Sequence, residues 1–278
     1  MTRSKSILIT GCSSGIGLDA AQTLHKLGWQ VFATCRDPND CEALIGQGIQ
    51  SFELDYARTE SIESAVGQVL ENTSGKLDAV FNNGAFAIPG FVEDLPRDAL
   101  RDIFETNVFG QFELINLLMP TFRAQGRGRI INCSSVLGFA ALRYRGAYNS
   151  TKFAMEGLTD TLRLELHGSG IKVVLIEPGP INTQIRVNSI PHFERWIDIE
   201  NSAHAAAYKE QLKPRLYQTE KKKDRFELPP SAVTQKLLLA LEKDNPKPRY
   251  YVTTPTYLAG YLKRILSSRG FDRFCLRL

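Results

Sequence analysis

The stretch Ser6-Ile-Leu-Ile-Thr-Gly-Cys-Ser-Ser-Gly-Ile-Gly17, followed by apolar positions at helical spacing from Leu18 to Leu27 and a stop at Gly28, decides the fold. Ser6 to Thr10 reads as a short buried strand, residues 11–17 as a glycine loop and residues 18–27 as a helix. Gly11, Gly15 and Gly17 let the backbone pass close to a pyrophosphate at a helix N-terminus. There the unpaired N–H groups and the helix dipole favour anions. A glycine triad alone is a weak signal; the strand before it and the helix after it supply the context that gives it meaning.

Outward from this unit the pattern alternates. Strands are expected at 30–35, 50–54, 77–82, 128–133, 171–177 and 249–253, and helices at 39–47, 59–72, 97–108, 110–124, 147–167 and 231–243. Strands alternating with helices imply a parallel sheet covered on both faces, and right-handed crossovers make it doubly wound. The expected fold is therefore α/β, one domain over residues 1–278. Residues 180–230 interrupt the alternation with Pro180, Pro191, Pro214, Pro229 and Pro230. Long insertions in compact domains are usually functional, and Ile190, Phe193, Trp196, Ile197 and Tyr208 are too apolar for a solvated excursion.

The whole chain sets bounds on function. Its 278 residues suffice for a substantial core, and 43% hydrophobic with 23% charged residues is ordinary for a soluble globular protein. A net charge of +4, with the basic residues dispersed except for Lys221, Lys222 and Lys223, argues against a nucleic-acid partner; that run reads as a solvated loop. Cys12, Cys35, Cys41, Cys133 and Cys275 are scattered, with no Cys-x-x-Cys pair, which fits reduced thiols in a cytoplasmic setting and no metal site. The N-terminus runs straight into the first strand without a signal peptide, and no window approaches the roughly 18 apolar residues of a membrane span. His25, His167, His192 and His204 form no spaced ligand set.

Chemistry is written in Tyr148-Asn-Ser-Thr-Lys152, with Ser135 thirteen positions before the tyrosine. A phenol is a poor acid-base group at neutral pH because its reference pKa is about 10. A lysine at i+4 shares the helix face, and its ammonium favours the phenolate. A nearby serine hydroxyl can hold a carbonyl or alcohol oxygen against the phenol. Such a trio handles a proton while a bound cofactor handles a hydride.

In the order glycine loop, Ser135, Tyr148, Lys152, the chain from about residue 5 to about residue 185 resembles the short-chain dehydrogenase/reductase family. The resemblance implies a Rossmann-like sheet with a substrate lid at about 185–225 and a C-terminal helix and tail at about 254–278. It selects Ser135 over Ser134, makes Asn107, Ser135, Tyr148 and Lys152 catalytic, and gives Asn107 support of a water-linked proton path. It assigns cofactor binding to Gly11, Ser13, Ser14, Gly15, Ile16, Gly17, Asp55, Asn82, Asn83, Gly84, Tyr148, Lys152, Pro178, Gly179, Ile181 and Thr183. In Asn82-Asn83-Gly84-Ala85 the last two residues are exchanged relative to the family's usual Asn-Asn-Ala-Gly. By alignment Cys35 takes the position of the acidic residue that binds ribose hydroxyls in NAD enzymes, and Arg36 follows it. A neutral residue then arginine suits a 2′-phosphate, so NADP(H) is expected over NAD(H), with Ser14 as a further donor. Asp37 keeps the other option open through a shift of register.

Thr-Gly-Cys-Ser-Ser-Gly-Ile-Gly, Ala-Thr-Cys-Arg-Asp and Ile-Glu-Pro-Gly-Pro-Ile resemble the subgroup containing bacterial NADP-dependent aldehyde reductases and the 17β-hydroxysteroid and retinol dehydrogenases. Together with Phe86, Val136, Phe139 and Leu142, this implies an apolar aldehyde, ketone or alcohol as substrate. A homodimer or homotetramer is expected. The alternatives are an NAD-dependent dehydrogenase and a dinucleotide-sensing regulator without catalysis. The amphipathic run Tyr257 to Leu266, followed by Arg269, Arg273 and Arg277, is expected to make a dimer or lid contact or a peripheral membrane contact.

Overall fold

A computed structural model describes residues 4–218 and 226–277. Its seven strands are β1 (Ser6–Thr10), β2 (Gln30–Cys35), β3 (Gln50–Glu53), β4 (Ala79–Asn82), β5 (Gly128–Cys133), β6 (Ile171–Glu177) and β7 (Arg249–Tyr251). They form one parallel sheet in the order β3-β2-β1-β4-β5-β6-β7. β1 lies inside the sheet between β2 and β4, with Leu8 opposite both Phe32 and Val80. Strands buried on both faces read as continuous apolar runs, and β1 is buried at every position. The order reverses between β1 and β4, which opens a crevice above the carboxyl ends of those strands.

The helices are α1 (Gly15–Lys26), α2 (Pro38–Ile45), α3 (Thr59–Asn72), α4 (Arg97–Phe104), α5 (Gly110–Gln125), α6 (Gly146–Glu165), α7 (Ile185–Asn188), α8 (Ile190–Trp196), α9 (Ala205–Ala207), α10 (Lys213–Leu216), α11 (Ser231–Glu242), α12 (Thr254–Ile265) and α13 (Ser268–Cys275). Side chains alternate across each strand. Ile7 and Ile9 therefore meet Ala20 and Leu24 of α1 and Leu237 of α11, while Leu8 meets Ile62 and Val69 of α3 and Leu118 of α5. Each fully buried aliphatic side chain contributes about 1.5–3 kcal/mol relative to exposure.

Boundaries differ from the sequence expectations where backbone bonding, not apolar spacing, sets them. α1 starts at Gly15, ahead of the first apolar position of its packed face. β4 starts at Ala79, because the N–H and C=O of Leu77 are taken by the Gln125 side chain at 3.0 and 2.8 Å. Between α4 and α5 the chain does not break after residue 108; Glu105–Phe109 widens into a π-helix and carries Asn107.

The excursion after β6 packs as short helices. Phe193, Ile197, Tyr208, Leu212 and Leu216 are buried together against Phe91 and Tyr144. The Tyr208 hydroxyl donates to Asp94 and accepts from the Phe91 N–H, both at 2.8 Å. Ser202 also donates to Asp94, at 2.8 Å, and Trp196 donates to Asp102 of α4 at 3.2 Å. The closing residues of the 185–225 segment, with Lys221, Lys222 and Lys223, lie outside the described residues. Among the described residues no helix is long and apolar enough to cross a membrane.

Candidate active site

The residues singled out from sequence converge at the carboxyl edge of the sheet. Gly11 takes φ +68°, and a Cβ there would lie 2.6 Å from the Gly84 Cα. The glycine that stands early in Asn82-Asn83-Gly84-Ala85 is therefore the residue against which the glycine loop closes. A Cβ on Gly17 would lie 2.2 Å from the Gly11 carbonyl oxygen, so the loop and the first turn of α1 touch backbone to backbone. Thr183 packs over Gly15, with its Cγ2 3.1 Å from where a Cβ would stand, and this brings the segment after β6 across the loop. Ser14 holds the N-cap position of α1 with no side-chain capping bond, and Ser13 is exposed beside it. The cradle of N–H groups at a helix N-terminus, closed to any side chain, fits a dinucleotide pyrophosphate.

Asn82 and Asn83 have inward tasks. Asn82 is fully buried; it donates to Asn132 at 2.9 Å and lies 2.8 Å from the Tyr56 hydroxyl. Asn83 donates to the carbonyls of Thr10 and Gly11 at 3.1 and 3.3 Å. The Thr10 hydroxyl receives the N–H groups of Asn83 and Gly84 at 2.9 and 3.1 Å. Both asparagines thus act as struts that fix the loop. Sequence reading missed Thr10, Tyr56 and Gln111, whose amide donates to the Gly84 carbonyl at 2.7 Å; the one local signal was a polar residue ending an apolar strand.

At the end of β2, Arg36 is exposed, and Asp37 turns its carboxylate to the Asn39 N–H at 2.9 Å, capping α2. Asp55 is likewise engaged by the Ala57 N–H at 3.0 Å, within a turn after β3. On the other side, Pro178 accepts from the Val136 N–H at 2.8 Å and faces the Ser135 hydroxyl at 3.4 Å. Gly179 presses against Thr253, and Ile181 pairs with Leu228. Ile16 and Ile181 pack on the same core cluster, which ties the glycine loop to this segment.

Tyr148 and Lys152 occupy the second and sixth positions of α6 counted from Ala147 and are 8% and 1% exposed. The Lys152 Nζ lies 5.6 Å from the Tyr148 ring centroid and donates to the Cys133 carbonyl at 2.7 Å. Burial, then Cys133, pushes the Tyr148 phenol above the ordinary tyrosine value; the hydrogen bond with Ser135 and the charge of Arg145 pull it back. Burial lowers Lys152 to about 8, opposed by Cys133 and Glu156. Asn107 holds the Phe86 backbone at both ends, accepting from its N–H at 3.1 Å and donating to its C=O at 2.8 Å. It also donates to Thr151 at 3.2 Å, on the turn between Tyr148 and Lys152. π-turns often sit at functional sites, and here the widened turn delivers an amide between two elements.

The excursion closes over this centre. His192 of α8 stacks on Phe86 with ring centroids 4.0 Å apart. Burial holds its pKa below the ordinary histidine value, with Asp102 opposing and Arg36 and Arg195 adding to the effect. Phe86, Ile88, Ile103 and Trp196 pack with Tyr148. A further concavity of about 590 Å³ beside α6 is lined by Phe91, Val92, Ala141, Leu142, Tyr144 and His204.

The family model for short chain dehydrogenases matches residues 5–192. The oxidoreductase YbbO of Escherichia coli K12, itself uncharacterized, is 38% identical over 269 residues, 97% of this chain and 93% of its own. Human retinol dehydrogenase 8 is 35% identical over 190 residues, 65% of this chain and 60% of its own. The crystal structure of a short-chain dehydrogenase from Streptomyces avermitilis aligns with a TM-score of 0.77 at 27% identity, covering 95% of this chain and 94% of that one.

Proposed function

The chain belongs to the short-chain dehydrogenase family, and from that premise we propose that it is an NADP(H)-dependent reductase of aldehyde or ketone carbonyls on apolar substrates, which can also oxidise the corresponding alcohols. What supports this reading most is the burial of Tyr148 and Lys152 on one face of α6, with Ser135 beside the phenol and the segment after β6 reaching both Ser135, at Pro178, and the glycine loop, at Thr183. The dinucleotide supplies the hydride. Tyr148 gives the proton to the carbonyl oxygen, and Ser135 orients that oxygen through its hydroxyl. The Lys152 ammonium favours the phenolate and has donors left for a ribose beyond the one taken by Cys133. Asn107 supports a water-linked proton path by fixing the Phe86 backbone and α6.

Gly11, Ser13, Ser14, Gly15, Ile16 and Gly17 hold the pyrophosphate, and Pro178, Gly179, Ile181 and Thr183 face the nicotinamide. Arg36, exposed and without an ion pair to a neighbouring carboxylate among the described residues, binds the 2′-phosphate. Asp55, Asn82, Asn83 and Gly84 build the adenosine side. An apolar substrate is supported by Phe86, Trp196 and the apolar lining around Leu142, and by the likeness to a retinol dehydrogenase.

In this reading residues 1–278 form one domain, with residues 185–225 as the lid. Exposed Phe109 in the π-helix before α5 and exposed Leu158 and Leu164 on α6 favour a homodimer or homotetramer, in the cytoplasm. Exposed Tyr257, Leu258, Tyr261 and Ile265 on α12, next to Arg264 and Arg269, favour a peripheral membrane contact. The test is a panel of aldehydes, ketones, steroids and retinoids followed by NADPH oxidation. Turnover of apolar carbonyls is expected. Silence across the panel with tight NADPH binding would assign the chain to dinucleotide sensing instead.

A further inference from the structure

Tyr148, Lys152, Glu156 and Asp160 stand at successive i+4 positions on α6 and so share one face of the helix. The first two belong to the chemical centre. The third is buried to 7% exposure and lies where the mechanism gives it no task.

Glu156 is held in an unusual way. Arg249 of β7 grips it through Nη1, and the same nitrogen lies 2.5 Å from Glu177 of β6, while Nη2 lies 2.5 Å from Asp160. One guanidinium thus faces three carboxylates. The second oxygen of Glu156, Oε1, is buried without a hydrogen-bond partner, and so is the Ser134 hydroxyl. Both border Gly138: a Cβ there would stand 2.6 Å from the Ser134 Oγ and 2.9 Å from the Glu156 Oε1. A buried, unpartnered carboxylate oxygen is costly and calls for a cause. Gly138, which closes the Val136–Gly138 turn three residues after Ser135, is the residue that leaves room for it.

We propose that Glu156 is a positioning residue for the reaction: its carboxylate, fixed by Arg249 and standing one helical turn from Lys152 on the same face of α6, keeps Lys152 in the ammonium form that Tyr148 needs. The proposal rests on the reading of Tyr148 and Lys152 given above. Burial, the larger effect, drives Lys152 toward neutrality, and Cys133 and then Glu156 oppose it. Glu177 adds a second control. Burial, then Glu156, pushes its carboxyl up, and Arg249 pulls it back, so at neutral pH it brings little further negative charge. At higher pH it ionises and strengthens the hold on the lysine.

The charged and titratable groups around Glu156 come from α6, β6, β7 and α12. They are Lys152 and Asp160 on α6, Glu177 on β6, Arg249 and Tyr251 on β7, and Lys263 and Arg264 on α12. Several of these line a cavity of about 270 Å³ that Glu156 borders.

The experiment is a titration of lysine side chains labelled at ¹³Cε, in protein without cofactor, with Lys152 assigned by the spectrum of Lys152→Met. Glu156→Gln, which keeps the shape and removes the charge, is expected to lower the Lys152 midpoint by about one pH unit, a roughly tenfold change in its charged-to-neutral ratio. Glu177→Gln is expected to leave the titration unchanged near neutrality and to lower it only where Glu177 would have ionised. If Glu156→Gln does not fold, Glu156→Asp withdraws the carboxylate by one methylene and is expected to lower the midpoint by less, in the same direction. A Lys152 midpoint unchanged in both Glu156 variants overturns the proposal. The titration proceeds whether or not any carbonyl is reduced, so its failure is distinct from loss of the reductase reading, which Tyr148→Phe decides. In the active enzyme the pH profile of kcat/KM for Glu156→Gln should move with the titration, whereas a purely structural role would change stability alone.

Discussion

The carboxylate of Asp37 accepts the N–H of Asn39 at 2.9 Å and so serves as the N-cap of α2. This bond matters for the cofactor, because Asp37 was the group that kept open a contact to ribose hydroxyls. With Asp37 turned to its own helix, the exposed Arg36, preceded by the neutral Cys35, is the charged side chain left free at the end of β2 among the described residues.

Arg36→Asp is expected to reverse a preference for NADPH over NADH. A bidentate phosphate contact to a charged group contributes about 1.5–3 kcal/mol, or roughly 10- to 150-fold in affinity. Titration of wild type and variant with both reduced cofactors measures it, and equal or tighter NADH binding by the wild type would refute the assignment.

Tyr148→Phe keeps the ring and removes the hydroxyl. Turnover should disappear while NADPH affinity stays within a few-fold, and substantial remaining activity would place the proton donor elsewhere.

An apolar pocket gains about 0.8 kcal/mol per buried methylene. Across short straight-chain aldehydes kcat/KM should rise roughly fourfold per carbon until the pocket is full. A preference for small polar or charged carbonyls contradicts the apolar reading of the residues around Phe86 and Trp196.

Burial pulls Lys152 down to about 8 in the folded chain, below the ordinary lysine value. Between that pH and the unfolded value of about 10.4 the unfolded state binds more protons, so this group makes stability rise with pH across the window. Below it the cost of burying the ammonium is fully present. Lys152→Met should therefore be more stable than wild type at pH 7, by about 1–2 kcal/mol after the lost bond to Cys133, and the gain should vanish above roughly pH 10.5. Denaturant unfolding across pH measures the difference, and a gain that grows with pH would contradict the burial argument.

Gly17 and Gly67 make a paired test of packing. A Cβ on Gly17 meets the Gly11 carbonyl at 2.2 Å, whereas one on Gly67, exposed on α3, meets nothing within 4 Å. Gly17→Ala should lose about 1–3 kcal/mol of stability and weaken NADPH binding, while Gly67→Ala should gain about 0.5–1 kcal/mol. Thermal unfolding of both variants checks the contrast.

By itself the sequence determined the alternation of strands and helices, the glycine loop with its strand and helix, and the i+4 relation of Tyr148 to Lys152. All are properties of neighbours along the chain, where the periods of strand and helix translate directly into faces. Tertiary structure decided the rest. Asn82 and Asn83 turned inward because Tyr56, Asn132 and Thr10, distant in sequence, supply their partners. The widened turn at Asn107 depends on the Phe86 backbone it must reach, which no local pattern encodes. Glu156 looked like any helix-face glutamate until β6 and β7 brought Glu177 and Arg249 against it. Burial and the identity of the facing group set the charge and reach of a side chain, and both arise only when the parallel sheet brings separate segments together.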